Sequence, residues 1–267
     1  MTALRPVTVI TGASAGIGAE LARVFGRHGH ALVLLARRTE RLETLAAEIA
    51  ASGAPPPLVV TCDLLAPQAA EQLAQTLAHE GVEPQYLVNN AGFGLVGQAV
   101  ELSHAEQLAM IDLNIRVLTE LSLRFADSVA RQRGGILNVA SMAALVPGPG
   151  MAVYYASKAY VLSFSEALSV ELKPRGVRVT ALCPGPVPTE FAERAGVTRQ
   201  TRPGPVSMPA DMVAEAGYRG LIAGQRRVIP GAKLKLLRFV IALVPTSVLL
   251  AAVSLRQRRR LVRQGQK

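Results

Sequence analysis

The stretch Val7-Thr8-Val9-Ile10-Thr11-Gly12-Ala13-Ser14-Ala15-Gly16-Ile17-Gly18-Ala19-Glu20-Leu21 decides the fold. A short β-branched run ends at Thr11, glycines follow in the spacing G-x-x-x-G-x-G, and a helical pattern starts without a linker. Glycine allows the sharp turn, and an anion can then approach the free N–H groups of the helix N-terminus. Such a strand–turn–helix suits a dinucleotide pyrophosphate, which makes Gly12, Ser14, Ala15, Gly16, Ile17 and Gly18 candidate contacts. The letters Gly12-Ala13-Ser14-Ala15-Gly16 also fit the hydrolase elbow G-x-S-x-G, with Ser14 as nucleophile. That elbow needs a later acid and a later histidine, yet the histidines are His28, His30, His79 and His104, with none beyond. The dinucleotide reading is favoured.

Outward from this turn, short apolar runs alternate with longer helical patterns. The runs are Val7 to Thr11, Ala31 to Ala36, Leu58 to Thr61, Tyr86 to Asn89, Gly135 to Ala140, Val177 to Leu182 and Arg227 to Ile229. Between them lie helical patterns over Gly16 to His28, Thr39 to Ser52, Pro67 to Glu80, Ser103 to Arg131, Val153 to Lys173 and Pro209 to Ala223. The strands are continuously apolar, as expected where helices cover both faces of a parallel sheet. The fold expected is a doubly wound α/β domain of Rossmann type, with about seven strands, over residues 1–232. An apolar and then basic extension follows over 233–267. Ligands of such folds sit beyond the carboxyl ends of the strands.

The end of the second strand reads Ala36-Arg37-Arg38, with no acid before Glu40. An acid there would bond the adenosine 2′-hydroxyl of NAD, whereas arginine accepts the 2′-phosphate of NADP. Arg37 and Arg38 therefore favour NADP(H), since guanidinium groups pair well with phosphate. Further on, Tyr154-Tyr155-Ala156-Ser157-Lys158 places two phenols at helical spacing from one ammonium. A phenol ionises near pH 10, and a nearby ammonium would favour the phenolate, equipping it for proton transfer during hydride movement. Spacing alone does not separate Tyr154 from Tyr155.

Taken in order, Thr11 to Gly18, Asn89-Asn90-Ala91-Gly92, Asn114, Ser141, Tyr154-x-x-x-Lys158 and Pro184-Gly185 closely resemble the short-chain dehydrogenase/reductase family. The resemblance runs from about residue 5 to 230. It implies an oxidoreductase acting on alcohol and carbonyl groups, with Tyr154 as catalytic acid/base, and no metal. Lys158 would lower the Tyr154 pKa and bind the nicotinamide ribose, and Ser141 would hydrogen-bond the substrate oxygen. Asn114 would hold a water linking Lys158 to solvent. The interval of 13 residues from Ser141 selects Tyr154 over Tyr155. Asp63 and Leu64 would lie by the adenine, Asn90, Ala91 and Gly92 by the ribose, and Pro184, Gly185, Val187 and Thr189 around the nicotinamide. The loops Phe93 to Gln98, Met142 to Met151 and Phe191 to Pro209 would line the substrate pocket. Their apolar side chains, among them Phe93, Leu95, Val96, Met151 and Phe191, suggest an apolar carbonyl or alcohol.

The net charge of +10 is unevenly spread. All 19 acidic residues lie at or before Glu215, whereas 12 basic residues follow it with no acid among them. The body is nearly neutral, so its charge does not argue for nucleic acid. Phe239 to Leu255 is a 17-residue run without charge, flanked by Lys233, Lys235 and Arg238 and by Arg256 to Arg260. It is read as an anchor at an anionic membrane surface ahead of a lid or subunit contact, with a full span well behind. Cys62 and Cys183 are 121 residues apart and form no metal-type or redox-type pair. With no secretory run at Met1 to Pro6, the expectation is a cytoplasmic protein, peripheral to a membrane and a homo-oligomer. A non-catalytic dinucleotide-binding redox sensor is the second reading, and the Ser14 hydrolase the third.

Overall fold

The computed structural model describes residues 4–195, 207–251 and 253–255. Its elements are β1 (Arg5–Thr11), α1 (Gly16–Arg27), β2 (Leu32–Ala36), α2 (Thr39–Ala51), β3 (Leu58–Thr61), α3 (Ala69–His79), β4 (Val82–Asn89) and α4 (His104–Ile111). A π-helical turn (Asp112–Val117) leads into α5 (Leu118–Arg124), α6 (Ala126–Arg131) and β5 (Gly135–Val139). A short 3-10 helix (Met142–Leu145), α7 (Ala152–Glu171), a second 3-10 helix (Lys173–Arg175), β6 (Arg178–Leu182), α8 (Glu190–Arg194), α9 (Ala210–Ile222), β7 (Arg227–Val228) and α10 (Ala232–Leu243) follow.

All seven strands are parallel, in the order β3-β2-β1-β4-β5-β6-β7. Side chains alternate between the two faces, so one strand feeds two cores. Ile10, Leu34, Val88, Leu137 and Leu182 pack under α1, α2 and α9. Val9, Val33, Leu35, Leu87, Ile136 and Val179 pack on the other side with residues of α3, α5, α6 and α7. This double burial is why the strands carry no polar alternation, each buried Leu, Ile or Val contributing about 1.5–3 kcal/mol. The winding reverses between β1 and β4, which opens a crevice at their carboxyl ends.

Two local expectations change, and a third stretch takes a form that the sequence left open. β4 begins at Val82, because Pro84 hides its first half; the β1–β4 register slips between Val7 and Thr8, beside that proline. The pattern Ser103 to Arg131 is not one helix but α4, the π-turn, α5 and α6. The π-turn bears Asn114, whose buried side chain is held by groups outside the helix. The apolar run Phe239 to Leu255 also breaks. α10 ends at Leu243, Val244 is extended ahead of Pro245, and the chain is helical again over 246–251. Among the described residues no helix is long and apolar enough to cross a membrane. Leu234 seats the start of α10 against Val161, Leu162 and Ile229, while Leu236, Phe239, Val240 and Leu243 face outward.

Candidate active site

The glycine turn lies at the crevice and is welded to the end of β4. The Thr11 hydroxyl donates to the Val88 carbonyl and accepts from the N–H groups of Asn90 and Ala91. The Asn90 amide donates to the carbonyls of Thr11 and Gly12, at 3.0 and 3.2 Å. Gly12 has φ +66°, and a Cβ on Gly18 would stand 2.4 Å from both Asn90 Nδ2 and the Gly12 carbonyl oxygen. The turn therefore needs glycine for conformation at the first position and for space at the last. Its Ala15 cap makes no side-chain hydrogen bond, leaving the first N–H groups of α1 facing the crevice.

Beyond β5 and at the start of α7 stand the other candidates. Ser141 caps the 3-10 helix, its hydroxyl accepting from the Ala143 N–H. Lys158 is 5% exposed; its Nζ donates to the Val139 carbonyl at 2.8 Å and lies 5.9 Å from the Tyr154 ring centre. The tertiary structure separates the two phenols. The Tyr155 ring covers Gly148, where a Cβ would stand 2.3 Å from it, whereas Tyr154 faces Ser141 and Phe191. Burial pushes the Tyr154 phenol up to about 12, and the Ser141 hydroxyl pulls the other way. Burial also pulls Lys158 down to about 8. Burial, with Tyr155 beside it, holds the phenol up, and the pull in the other direction comes from Ser141, not from Lys158.

Asn114 is fully buried and clasps two elements. It accepts from the Phe93 N–H at 3.1 Å, donates to the Phe93 carbonyl at 3.0 Å, and donates to the Ser157 hydroxyl at 3.0 Å. Ser157 in turn donates to the Tyr154 carbonyl at 2.7 Å. A Cβ on Gly92 would stand 2.7 Å from Asn114 Oδ1 and 3.6 Å from Lys158 Nζ, so glycine keeps the space between them open.

The arginines after β2 do different things. Arg38 donates through Nε and Nη2 to the Ser14 hydroxyl, at 3.3 and 3.1 Å, and through Nη1 to the Glu190 carboxylate at 2.8 Å. Arg41 donates to the other Glu190 oxygen. Arg37 pairs loosely with Asp63 at 3.9 Å and is half exposed, while Arg38 and Arg41 converge on one anion. Ser14 is held by arginine, and none of its hydrogen bonds comes from histidine, as the hydrolase elbow would require.

A short chain dehydrogenase family model matches residues 6–200. The chain belongs to the short-chain dehydrogenase family. Oxidoreductase UcpA of Salmonella typhimurium is 35% identical over 218 residues, spanning 80% of this chain and 81% of that protein. Serine 3-dehydrogenase of Agrobacterium fabrum is 35% identical over 186 residues, covering 68% and 72%. Among solved structures, a short-chain dehydrogenase from Sphingobium yanoikuyae in complex with NADPH has a TM-score of 0.77 at 32% identity, covering 90% of this chain and 96% of that one. The bulky-bulky ketone specific alcohol dehydrogenase of Comamonas testosteroni has a TM-score of 0.74 at 28% identity, covering 91% and 96%. The dehydrogenase is accordingly an enzyme of alcohol and carbonyl groups, not a bare binding protein.

The remaining candidates of this dehydrogenase fall around the crevice unequally. Asp63 is exposed and accepts the Leu65 N–H, while the Leu64 side chain packs into the core. Thr189 touches Gly16, where a Cβ would meet its methyl at 3.1 Å, and Val187 packs against the core beneath α9. Pro184 accepts the Met142 N–H, joining the ends of β5 and β6 beside Ser141. Of the pocket loops, residues 196–206 lie outside the described residues. The described part shows Phe191 with its ring centre 5.4 Å from that of Tyr154, Arg194 over the Phe93 ring, and the Val96 N–H on the Ala195 carbonyl. Sequence reading missed Ser157, Gly94, Arg41 and Glu190. A Cβ on Gly94 would meet Phe191 at 3.0 Å and Tyr154 at 3.1 Å. Arg41 was findable as the helical neighbour of Arg38, whereas Glu190 carries no local signal.

Proposed function

We propose that this dehydrogenase moves hydride between NADP(H) and the carbonyl carbon of an apolar ketone or aldehyde, or the matching alcohol. The observation that carries the reading is the convergence of Ser141, Tyr154 and Lys158 at the strand ends beside a turn that only glycine can form. The residues fit a dinucleotide. The bare N–H groups of α1 would hold the pyrophosphate, Asn90 to Gly92 the ribose side, and Arg38, Arg41 and Ser14 a 2′-phosphate. Pro184, Gly185, Val187 and Thr189 would border the nicotinamide, which when bound supplies or accepts the hydride.

This chain's own residues handle the oxygen and its proton. In the reducing direction the hydroxyls of Ser141 and Tyr154 would donate to the carbonyl oxygen and polarise it. A phenol held near 12 is fully protonated at neutral pH, which suits it as the acid. As hydride reaches carbon, the proton leaves Tyr154 Oη for the new alkoxide, giving the alcohol and a phenolate. The Lys158 ammonium steadies that phenolate, and a water in the space beside Gly92, held by Asn114, would carry a proton from solvent to Lys158 and so back to the phenolate. Asn114 also positions α7 through Ser157. An apolar substrate fits Met151 and Phe191 beside Tyr154, and the likeness to a bulky-bulky ketone specific alcohol dehydrogenase supports a ketone.

The deciding test is a titration with NADPH and NADH side by side, read by thermal stabilisation, since the chain has no Trp to quench. NADPH at a hundred times its Kd should add about 2.7 kcal/mol of stability. Arg38→Ala with Arg41→Ala should weaken NADPH far more than NADH. A larger response to NADH in the wild type would overturn the cofactor assignment and leave the enzyme class standing.

The outward apolar residues of α10, with Lys233, Lys235 and Arg238 among them, support the further reading that this extension lies on an anionic lipid surface. Sedimentation with phosphatidylserine vesicles should pull down the full chain but not one ending at Gly231. Equal sedimentation of both would remove the assignment. Exposed Leu108, Ile111, Leu123 and Val170 on α4, α5 and α7 support a homo-oligomer, to be read by light scattering.

A further inference from the structure

The Glu190 carboxylate, 152 residues from Arg38 in sequence, lies where two guanidinium groups and the Ser14 hydroxyl converge beside the glycine turn. All three charged side chains are about half exposed, at 45% for Arg38, 50% for Arg41 and 47% for Glu190. The cluster is therefore open to an anion from solvent. Glu190 is also the first residue of α8, which runs on beside Tyr154. Phe191, the next residue, lies against Tyr154 and Gly94. Arg194 covers Phe93, and the Ala195 carbonyl holds the Val96 N–H. One exposed carboxylate thus links the phosphate end of the crevice to the segment beside Tyr154.

We propose that Glu190 is a specificity-determining and positioning residue that stands in for the adenosine 2′-phosphate. Binding of that phosphate then expels the carboxylate and shifts α8, with Phe191, relative to Tyr154. The inference rests on the NADP(H) reading above. A phosphomonoester brings a charge of roughly −1.5 to −2 and three acceptor oxygens, against one charge and two oxygens on the glutamate. It outcompetes the carboxylate for both guanidinium groups, and like charge then repels Glu190 from the cluster. Exposed ion pairs are weak, so the exchange needs little driving force. NADH has no group to make this exchange and leaves α8 tied. Discrimination against NADH thereby reaches the substrate side of the site as well as the cofactor side.

The probes are 2′,5′-ADP and 5′-AMP, which share the adenosine end and differ in the 2′-phosphate. In the wild type, 2′,5′-ADP should bind more tightly than 5′-AMP by calorimetry. Glu190→Gln should tighten 2′,5′-ADP further, by about three- to tenfold, and leave 5′-AMP unchanged. If the wild type prefers 2′,5′-ADP but Glu190→Gln leaves it unchanged or weakens it, the stand-in role is overturned and the NADP(H) reading survives. If the wild type shows no preference, both fall. Because the chain has no Trp, Phe191→Trp installs a single reporter on α8. Its emission should change on adding 2′,5′-ADP and not 5′-AMP, and should start at the shifted value with Glu190→Gln. An emission unmoved by saturating 2′,5′-ADP would overturn the coupling to α8.

Discussion

Lys158→Met should remove one identifiable slope from the pH dependence of stability. Burial pulls this ammonium from its ordinary 10.5 down to about 8, and the nearby Cys183 only partly compensates. Below about pH 8 the lysine is charged in both states, and the folded state bears the whole cost of burying the charge. Between about 8 and 10.5 the unfolded chain still holds a proton that the folded chain has lost, so stability rises with pH. Across the whole window the gain is about 3 kcal/mol, of which about 2 kcal/mol falls between about pH 7 and pH 9.5. Methionine keeps most of the stem and has no proton to lose. Urea unfolding followed by far-ultraviolet circular dichroism at those two pH values gives the stabilities. The wild type should gain on the variant by about 2 kcal/mol at the higher pH. Cys183 and Tyr154, each pushed up to about 12 by burial, act in the opposite direction above their ordinary 9.0 and 10.0. Both are present in the two proteins, so they largely cancel in the difference. Parallel pH dependences in wild type and variant would refute the claim that Lys158 is desolvated where the fold puts it.

Tyr154→Phe should abolish turnover while NADPH binding by calorimetry stays within about threefold, whereas Tyr155→Phe, altering a ring that covers Gly148, should keep most of the activity; the reverse order would reassign the acid. Gly18→Ala forces a Cβ against the Gly12 carbonyl and the Asn90 amide, so dinucleotide stabilisation should vanish and the melting temperature fall even without ligand. Asn114→Ala strips two partners from the buried Phe93 backbone and one from Ser157, and should cost about 2–4 kcal/mol in denaturant unfolding. Ser157→Ala removes the Asn114 bond to α7 and the bond to the Tyr154 carbonyl but spares the Phe93 backbone, so a smaller loss with a lowered kcat and unchanged Kd for NADPH is expected.

Much of this enzyme is legible in its sequence, and the reason is locality. The parallel sheet follows from apolar runs that must be buried on two faces, and the turn at Gly12 to Gly18 from conformations that other residues cannot adopt. The family motifs place Ser141, Tyr154 and Lys158 because each lies at the end of a strand or the start of a helix whose position the topology already dictates. What needed the tertiary structure involves partners distant in sequence. Tyr154 and Tyr155 are equivalent in spacing to Lys158, and only the packing of one ring on Gly148 and the other toward Ser141 separates them. Arg37 and Arg38 are adjacent, yet Asp63 draws one away while Ser14 and Glu190 hold the other. The sign of the Tyr154 shift was likewise out of reach, since it depends on how much protein surrounds the phenol. Local sequence dictates backbone shape through sterics and hydrophobic periodicity, whereas charge pairing and desolvation depend on distances that only the folded chain creates.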